Sequence, residues 1–201
     1  MKEQILQAAS AYFTQYGTKG ASMDDIARSI GISKKTIYEY FKDKETLFVE
    51  SVRFDLQRYR KQLVDIGAEG EDVLDIMIRS SMYAFKTTFR YCPLYFKDID
   101  KYPEASRLVK EHLDFMHEKT LAYFSKAVDE GFFKSDNNYE VISGFVRNQI
   151  DSIRKNPALN QMKKMEMYAV AILTMFNGLC TEKGRKEMEK YNAEQLFKSE
   201  Y

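Results

Sequence analysis

Residues 21–44 read ASMDDIARSIGISKKTIYEYFKDK, and this stretch decides how the rest of the chain is interpreted. Apolar residues recur at helical spacing in two short segments, 23–30 and 34–41, which a glycine separates. A serine stands before each segment, Ser22 and Ser33, where its hydroxyl can accept a hydrogen bond from an amide of the first turn. Two short helices joined by a turn that contains glycine are typical of the helix-turn-helix. The stretch therefore predicts a DNA-binding protein.

The composition is that of an ordinary globular protein. Of the 201 residues, 44% are hydrophobic and 30% are charged, which suffices for one large or two small cores and argues against a disordered chain. The apolar runs fall far short of the ~20 residues that a membrane span needs, and the N-terminus lacks the pattern of a secretion signal. Cys92 and Cys180 have no zinc-ligand spacing. We expect a cytoplasmic protein with no membrane partner, no cofactor and no metal.

Total charge does not indicate a nucleic-acid partner. The net charge is +1, and basic and acidic side chains balance, seven against seven, in the first fifty residues. Four lysines nevertheless lie at the two ends of the second short segment: Lys34, Lys35, Lys42 and Lys44. So small a group usually only solvates a surface, so a DNA-binding role depends on where the motif places these charges.

Helical periodicity continues along the whole chain, and no segment alternates as a strand would. The sequence therefore predicts an all-α protein. A short piece rich in aromatic residues, 93–102, is expected to be irregular. The predicted helices are 2–16, 23–30, 34–41, 44–66, 72–89, 104–130, 139–155, 161–180 and 186–197, the last being a polar helix or tail.

Five short matches make the N-terminal part recognisable: SMDDIA at 22–27, GISK at 31–34, TIY at 36–38, YFK at 40–42 and KETL at 44–47. Together they closely resemble the DNA-binding region of the TetR family of bacterial repressors. The resemblance covers about the first fifty residues, whereas the rest is similar only in its helical layout. Two positions depart from the family pattern. Lys35 stands where many members have glycine, and Glu39 is an acid that would either read a cytosine amino group or repel phosphate.

The resemblance implies a fold, a function and partners. The fold would be an N-terminal three-helix helix-turn-helix domain, 1–45, followed by a C-terminal helical bundle, 46–201, that binds ligand and dimerises. The function would be that of a ligand-responsive dimeric repressor. Such a protein binds double-stranded DNA at a palindromic operator and is released by a small apolar or aromatic effector. It would be cytoplasmic and nucleoid-associated in a bacterium.

The predicted DNA contacts lie on the second short helix and beside it. The N-terminal residues of a recognition helix face base edges in the major groove, so Lys35 is expected at a guanine. Ile37 and Phe41 face the other way and are expected in the core. Resemblance makes Tyr40 and Lys44 phosphate contacts. Tyr38 either contacts phosphate or packs in the core, and the serine before the first short helix either contacts phosphate or only caps the helix. The complete set is Ser22, Ser33, Lys34, Lys35, Thr36, Tyr38, Tyr40 and Lys44.

Apolar stripes mark the last two long helices, 139–155 and 161–180, as the predicted homodimer interface. Two such helices from each subunit would form a four-helix interface about a twofold axis. The alternative is that both stripes face their own core.

Aromatic and methionine residues in the middle of the chain predict an apolar effector pocket with a few polar groups. Each polar candidate alone is more often a surface residue or a satisfied core residue. The predicted ligand contacts are Met77, Tyr83, Phe85, Phe89, Tyr95, His112, Phe115, Met116, Arg147 and Asn177.

Two other classes of function compete with a ligand-responsive repressor. A structural or division-associated DNA-binding protein could use the same fold without an effector, and a core filled by its own side chains would favour it. An enzyme is not expected, because the sequence has no Ser, His and Asp grouping, no phosphate-binding glycine loop and no metal-ligand spacing.

Overall fold

The computed structural model describes residues 1–156 and 158–191 and confirms the all-α prediction. In this part of the chain no strand forms, and the only bridge of that type is an isolated one between Phe133 and Cys180. The helices are α1 (Lys2–Gly20), α2 (Met23–Ser29), α3 (Lys34–Tyr40), α4 (Lys44–Glu69), α5 (Val73–Arg90), α6 (Pro93–Lys101), α7 (Pro103–Asp129), α8 (Tyr139–Lys155), α9 (Gln161–Leu179) and α10 (Glu182–Met188).

The chain folds into two compact units. The first unit consists of Met1–Val64 and Arg90–Asp114, and the second consists of Asp65–Phe89 and the described residues from Phe115 onward. Helices α4, α5 and α7 each contribute residues to both units. The division of the sequence into a DNA-binding part, 1–45, and a ligand-binding part, 46–201, stays a prediction about function.

The core of the first unit holds the two short helices in place. Ile26 of α2 and Ile37 of α3 are fully buried together with Phe13 of α1 and Phe48 of α4. Helices of seven residues are too short to be stable alone in water, so packing against the longer helices stabilises them. The prediction that Ile37 and Phe41 belong to the core is confirmed.

Gly17 interrupts α1 and lets another helix approach. Its backbone has φ 67° and ψ 176°, a combination that is open almost only to glycine. A Cβ at this position would lie 2.8 Å from the Cβ of Leu94 and 3.0 Å from Oδ2 of Asp98. Asp98 also accepts a hydrogen bond of 2.6 Å from the amide of Thr18. The predicted stop at Gly17 is therefore a kink at which α6 packs closely.

The prediction that residues 93–102 are irregular is wrong, because they form α6. Pro93 is the first helical residue, where its fixed φ suits a helix and its missing N–H leaves no bond unmade. Tyr95 and Ile99, four residues apart, are both buried on one face. The amide of Cys92 donates to the carbonyl of Thr14 at 2.8 Å, which ties the start of α6 to α1.

Two other helix ends differ from the prediction. Helix α4 continues through Gly67 and ends before Gly70, whose amide donates to the carbonyl of Ile66. Helix α10 begins at Glu182 rather than at residue 186, because the hydroxyl of Thr181 caps it by accepting from the amide of Gly184. The remainder of the predicted helix 186–197 lies mostly outside the described residues.

Stacked aromatic rings pack in the core of the second unit. The rings of Phe85 on α5 and Tyr168 on α9 lie 4.5 Å apart, and the Tyr168 hydroxyl donates to the carbonyl of Ser81 at 2.9 Å. Phe133 and Phe176 are also buried in this core. These contacts fix α9 on α5 and fill the interior between them with side chains.

A half-buried carboxyl group joins α1 and α4 in the first unit. Both oxygens of Asp55 lie within hydrogen-bond distance of the Ser10 hydroxyl, at 2.7 and 2.8 Å, although that hydroxyl carries a single proton. Burial raises the pKa of Asp55 to about 6, while the hydrogen bond from Ser10 and the charge of Arg58 oppose this rise. The carboxyl is therefore held in the folded state at a cost whenever it is ionised.

We expect Gly17→Ala to lower the free energy of unfolding by about 2 kcal/mol or more, because the new methyl group combines an unfavourable φ with the close approach of α6. Gly31→Ala is the matched control, since Gly31 also has a positive φ, 70°, but no neighbouring atom within 4 Å. Its loss should be about 1 kcal/mol. Urea titration of both variants would measure the difference, and equal losses would contradict a steric role for Leu94 and Asp98.

We expect the free energy of unfolding of Asp55→Asn to exceed that of the natural protein by an amount that increases as pH rises. The folded pKa is about 6 and the unfolded value is 3.8, so the folded state binds the proton more tightly. The free energy of unfolding of the natural protein therefore falls as pH rises from about 4 to about 6, by up to ~3 kcal/mol. The difference in unfolding free energy between the variant and the natural protein should grow across that window and then level off. Asp100→Asn, which removes an exposed carboxyl group, is the matched control.

Candidate DNA-binding surface

Serine caps and a left-handed glycine build the turn between α2 and α3. The Ser22 hydroxyl accepts from the amide of Asp25 at 3.1 Å and donates to its carboxylate at 2.5 Å, which confirms the predicted cap at Ser22. Gly31 has φ 70°, and the amide of Ile32 donates back to the carbonyl of Ala27 at 3.0 Å. The sharp turn sets the start of α3 close to α2.

The hydroxyl groups at the start of α3 bind each other. Ser33 accepts from the amide of Thr36 at 3.1 Å, and the two side-chain oxygens lie 2.9 Å apart. The predicted cap at Ser33 is thereby confirmed. Both hydroxyls keep a remaining hydrogen-bonding position, because each oxygen can donate once and accept twice.

The two lysines at the start of α3 differ in their surroundings. Nζ of Lys34 lies 2.9 Å from Oδ2 of Asp24 on α2, and the hydrogen bond and charge of Asp24 raise the pKa of Lys34. Lys35 is exposed and makes no hydrogen bond or ion pair with the described residues. To bind an external anion, Lys34 would have to give up its ion pair with Asp24, whereas Lys35 has no such contact with the described residues.

The two tyrosines of α3 reach solvent. Tyr38 is 45% exposed and Tyr40 is 46% exposed, whereas Ile37 between the helices is fully buried. This exposure argues against the alternative in which Tyr38 packs in the core. Both phenol hydroxyls are available to an external partner.

Lys44 begins α4 directly after its cap. Oδ1 of Asp43 accepts from the amide of Thr46 at 2.7 Å, which confirms Asp43 as the cap. Partial burial lowers the pKa of Lys44, with Asp98 opposing and Lys101 adding to that effect. The ammonium group thus lies beside the positive end of a long helix, where an anion is favoured.

All eight predicted DNA contacts lie in the first unit, on α2, α3 and the start of α4 or directly before them. Asp24 as a partner of Lys34 and Lys101 as a neighbour of Lys44 were not predicted from the sequence. The two residues of each pair lie on different helices, so helical spacing along the sequence does not predict their contact. Opposite charges at both ends of the turn were the only available signal for the pair of Asp24 and Lys34.

The predicted effector contacts are distributed over both units. Tyr95 and His112 are buried in the first unit, whereas Met77 and Phe85 are buried in the second. The others lie on second-unit helices: Tyr83 and Met116 are half-buried, Phe115, Arg147 and Asn177 are exposed, and Phe89 is on α5 with its side chain outside the description. Their common role in one pocket stays a prediction.

The imidazole of His112, on α7, contacts two side chains of α4. Nε of Arg60 donates to Nδ1 of the imidazole at 3.3 Å, and the ring meets Tyr59 edge-on at 5.1 Å. Burial, with the charge of Arg60, lowers the pKa of His112 to about 4. The imidazole is therefore neutral at pH 7, and its structural setting accounts for it without a ligand.

An apolar groove of about 650 Å³ runs along α8 and α9 within the second unit. Phe145, which is 62% exposed, and Val141 lie on the α8 side, and Ile172 and Met175 lie on the α9 side. Its lining includes none of the predicted effector contacts and coincides with the two helices predicted to form the dimer.

Neither a membrane-spanning helix nor a metal-binding group occurs among the described residues. None of their helices is long and apolar enough to cross a membrane. They also contain no group of three or more His, Cys, Asp or Glu side chains arranged to hold a metal ion.

The region that carries this surface is similar to proteins of a known family. The family model for bacterial regulatory proteins of the tetR family matches residues 5–50. The uncharacterized HTH-type transcriptional regulator YhgD of Bacillus subtilis is 30% identical over 131 residues, covering 65% of this chain and 68% of YhgD. IcaR of Staphylococcus epidermidis, the negative transcriptional regulator of the biofilm operon icaADBC, is 25% identical over 129 residues, covering 62% of this chain and 69% of IcaR.

A solved structure extends the likeness over nearly the full length. A transcriptional regulator from Saccharomonospora viridis, in complex with choline, has a TM-score of 0.68 and 15% identity and covers 94% of this chain and 93% of its own. At that identity the likeness shows the fold. Together with the match to the helix-turn-helix and the identity to YhgD, it places the chain in the TetR family of bacterial transcriptional regulators.

Proposed function

We propose that this regulator is a homodimeric repressor that binds a palindromic operator in double-stranded DNA and is released by a small apolar or aromatic effector in the bacterial cytoplasm. The observation that carries the proposal is the outer face of α3, where Lys35, Tyr38 and Tyr40 are exposed without serving the core. Repression is supported by the likeness to IcaR, which is a negative regulator.

Recognition would divide between base edges and phosphates. The N-terminal part of α3 would enter the major groove, with Lys35 donating to O6 and N7 of a guanine and Thr36 beside a base. Tyr38, Tyr40 and Lys44 would contact phosphates and hold the helix in register. Because the first fifty residues carry balanced charge, affinity would come from these placed groups rather than from a general positive surface.

Dimerisation would cover the apolar groove on α8 and α9. Val141 and Phe145 are each more than half exposed there, an arrangement that favours burial against a second copy. A dimer would present two copies of α3 to half-sites one helical turn apart, ~34–36 Å, or a multiple of it.

Release would act through α4, which begins at Lys44 in the first unit and ends in the second. An effector that binds one orientation of α4 more tightly would alter the spacing of the two recognition helices. Full switching requires a preference of ~5.5 kcal/mol between the two states. The choline complex of the fold neighbour supports a small-molecule effector.

One observation favours a second candidate, a DNA-binding structural or division-associated protein without an effector. Phe85 and Tyr168 stack within the second unit, so part of the predicted pocket region is filled by the protein's own side chains. Under this alternative, no small molecule would change the affinity for DNA.

We expect Lys44→Ala and Lys35→Ala to affect DNA binding differently. Lys44→Ala should weaken binding to all sequences and reduce the salt slope of the association constant by about one unit per subunit, because it removes a phosphate contact. Lys35→Ala should also relax base preference at one operator position, by ~1–3 kcal/mol. Selecting bound fragments from the genome would supply the operator, and fluorescence anisotropy across salt concentrations would measure both effects. An unchanged salt slope for Lys44→Ala would contradict its role.

We expect Phe145→Asp to convert the dimer to a monomer, because it places a charge in the centre of the apolar groove. Operator affinity should fall at least ~10-fold with it. Sedimentation velocity would give the mass, and Val64→Asp would serve as control, because Val64 is an exposed apolar residue of α4 outside the groove. A Phe145→Asp protein that remains a dimer would place the interface elsewhere.

A further inference from the structure

An ion pair links the two helices of the DNA-reading motif across their turn. Nζ of Lys34, the first residue of α3, lies 2.9 Å from Oδ2 of Asp24, in the first turn of α2. Both side chains are largely in solvent, with exposures of 45% for Lys34 and 57% for Asp24. The pair therefore lies on the surface that is proposed to meet DNA.

Stability of the fold does not explain this pair. An ion pair between exposed side chains contributes little to folding, because water screens the attraction and two flexible side chains must be ordered. The helices are already held by the buried side chains of Ile26, Ala27 and Ile37. The main physical consequence of the pair is thus a change in the charge that the start of α3 presents.

Lys34 and Lys35 are adjacent but present different charges to a partner. Lys35 makes no hydrogen bond or ion pair with the described residues, so its full positive charge faces outward. Lys34 is neutralised by Asp24. To bind a phosphate, Lys34 would have to leave Asp24 and expose a carboxylate beside the DNA backbone. Either choice reduces the number of phosphates that the protein can neutralise.

We propose that Asp24 sets the overall affinity for DNA: it holds Lys34 and thereby weakens binding to DNA of any sequence, the operator included, while leaving the base contact of Lys35 intact. This inference rests on the proposed operator-binding function. Sequence-independent affinity depends on the number of phosphates neutralised, so one fewer free cation per subunit lowers the affinity for random DNA. The operator loses the same phosphate contact, so its affinity falls by a similar factor, and discrimination between operator and random DNA is left to base contacts such as that of Lys35.

The inference differs from the sequence-based prediction that Lys34 contacts DNA, and a double substitution distinguishes the two. If the pair is electrically neutral toward DNA, then Asp24→Asn/Lys34→Gln should bind like the natural protein. If Lys34 contacts a phosphate or a base, the double variant should bind more weakly. If Asp24 acts only by repelling phosphate directly, the double variant should bind more tightly.

The experiment measures binding of the full-length dimer to its operator and to random-sequence duplexes of equal length, by fluorescence anisotropy between 50 and 200 mM salt. Asp24→Asn should tighten binding to random DNA by ~3–10-fold and steepen the salt slope by about one unit per subunit. It should tighten operator binding by a similar factor, because a phosphate contact carries no sequence information. The double variant should match the natural protein within about twofold and have the same salt slope.

Glu3→Gln is the matched control, because it removes the same charge from the first unit without freeing a cation. It should change binding to random DNA less than Asp24→Asn does. Thermal unfolding of each variant would check folding, and Lys34→Gln should weaken binding to random DNA, because it leaves Asp24 unpaired.

An Asp24→Asn protein with unchanged affinity for random DNA would overturn the inference, as would a double variant that differs from the natural protein in salt slope. If the natural protein binds no DNA at all, the proposed function itself fails, which is a separate outcome.

Discussion

The side chain of Phe48 holds together the part of the structure on which DNA binding depends. It is fully buried on α4, and its ring lies 5.3 Å from Phe13 on α1 and 5.7 and 5.3 Å from Tyr95 and Tyr102. Lys44 stands one turn earlier on the same helix. Because aromatic packing of this kind admits few arrangements, the start of α4 is fixed relative to α1 and, through the shared core, to α3.

Local rules made much of the DNA-reading motif predictable. Ser22 and Ser33 cap their helices by bonding to amides three residues on, and Gly31 supplies the left-handed turn, so the information lies within a few neighbouring residues. The burial of Ile37 and Phe41 followed from helical spacing alone. The all-α class followed for the same reason, since the period of 3.6 repeats along the chain.

Contacts between distant residues were not predictable in this way. Ser10 and Asp55 are 45 residues apart, and Thr18 and Asp98 are 80 apart, so no spacing rule relates them. Helix α6 was not predicted, although the proline at its first position and the spacing of Tyr95 and Ile99 are both compatible with a helix. The effector contacts illustrate the same limit. Periodicity indicates which face of a helix is buried, but not the unit of the fold in which it is buried.

The first unit is assembled from two separated parts of the chain, and this affects how the protein is made. The helix-turn-helix is synthesised first, yet Tyr95, Ile99 and Leu108, which belong to the same core, follow only after the whole of α4 and α5. A nascent chain therefore exposes the apolar side of α1 and α4 until those residues arrive. A nonsense mutation between residues 64 and 90 would leave an incomplete core rather than a small competitor for the operator, so such alleles should be recessive.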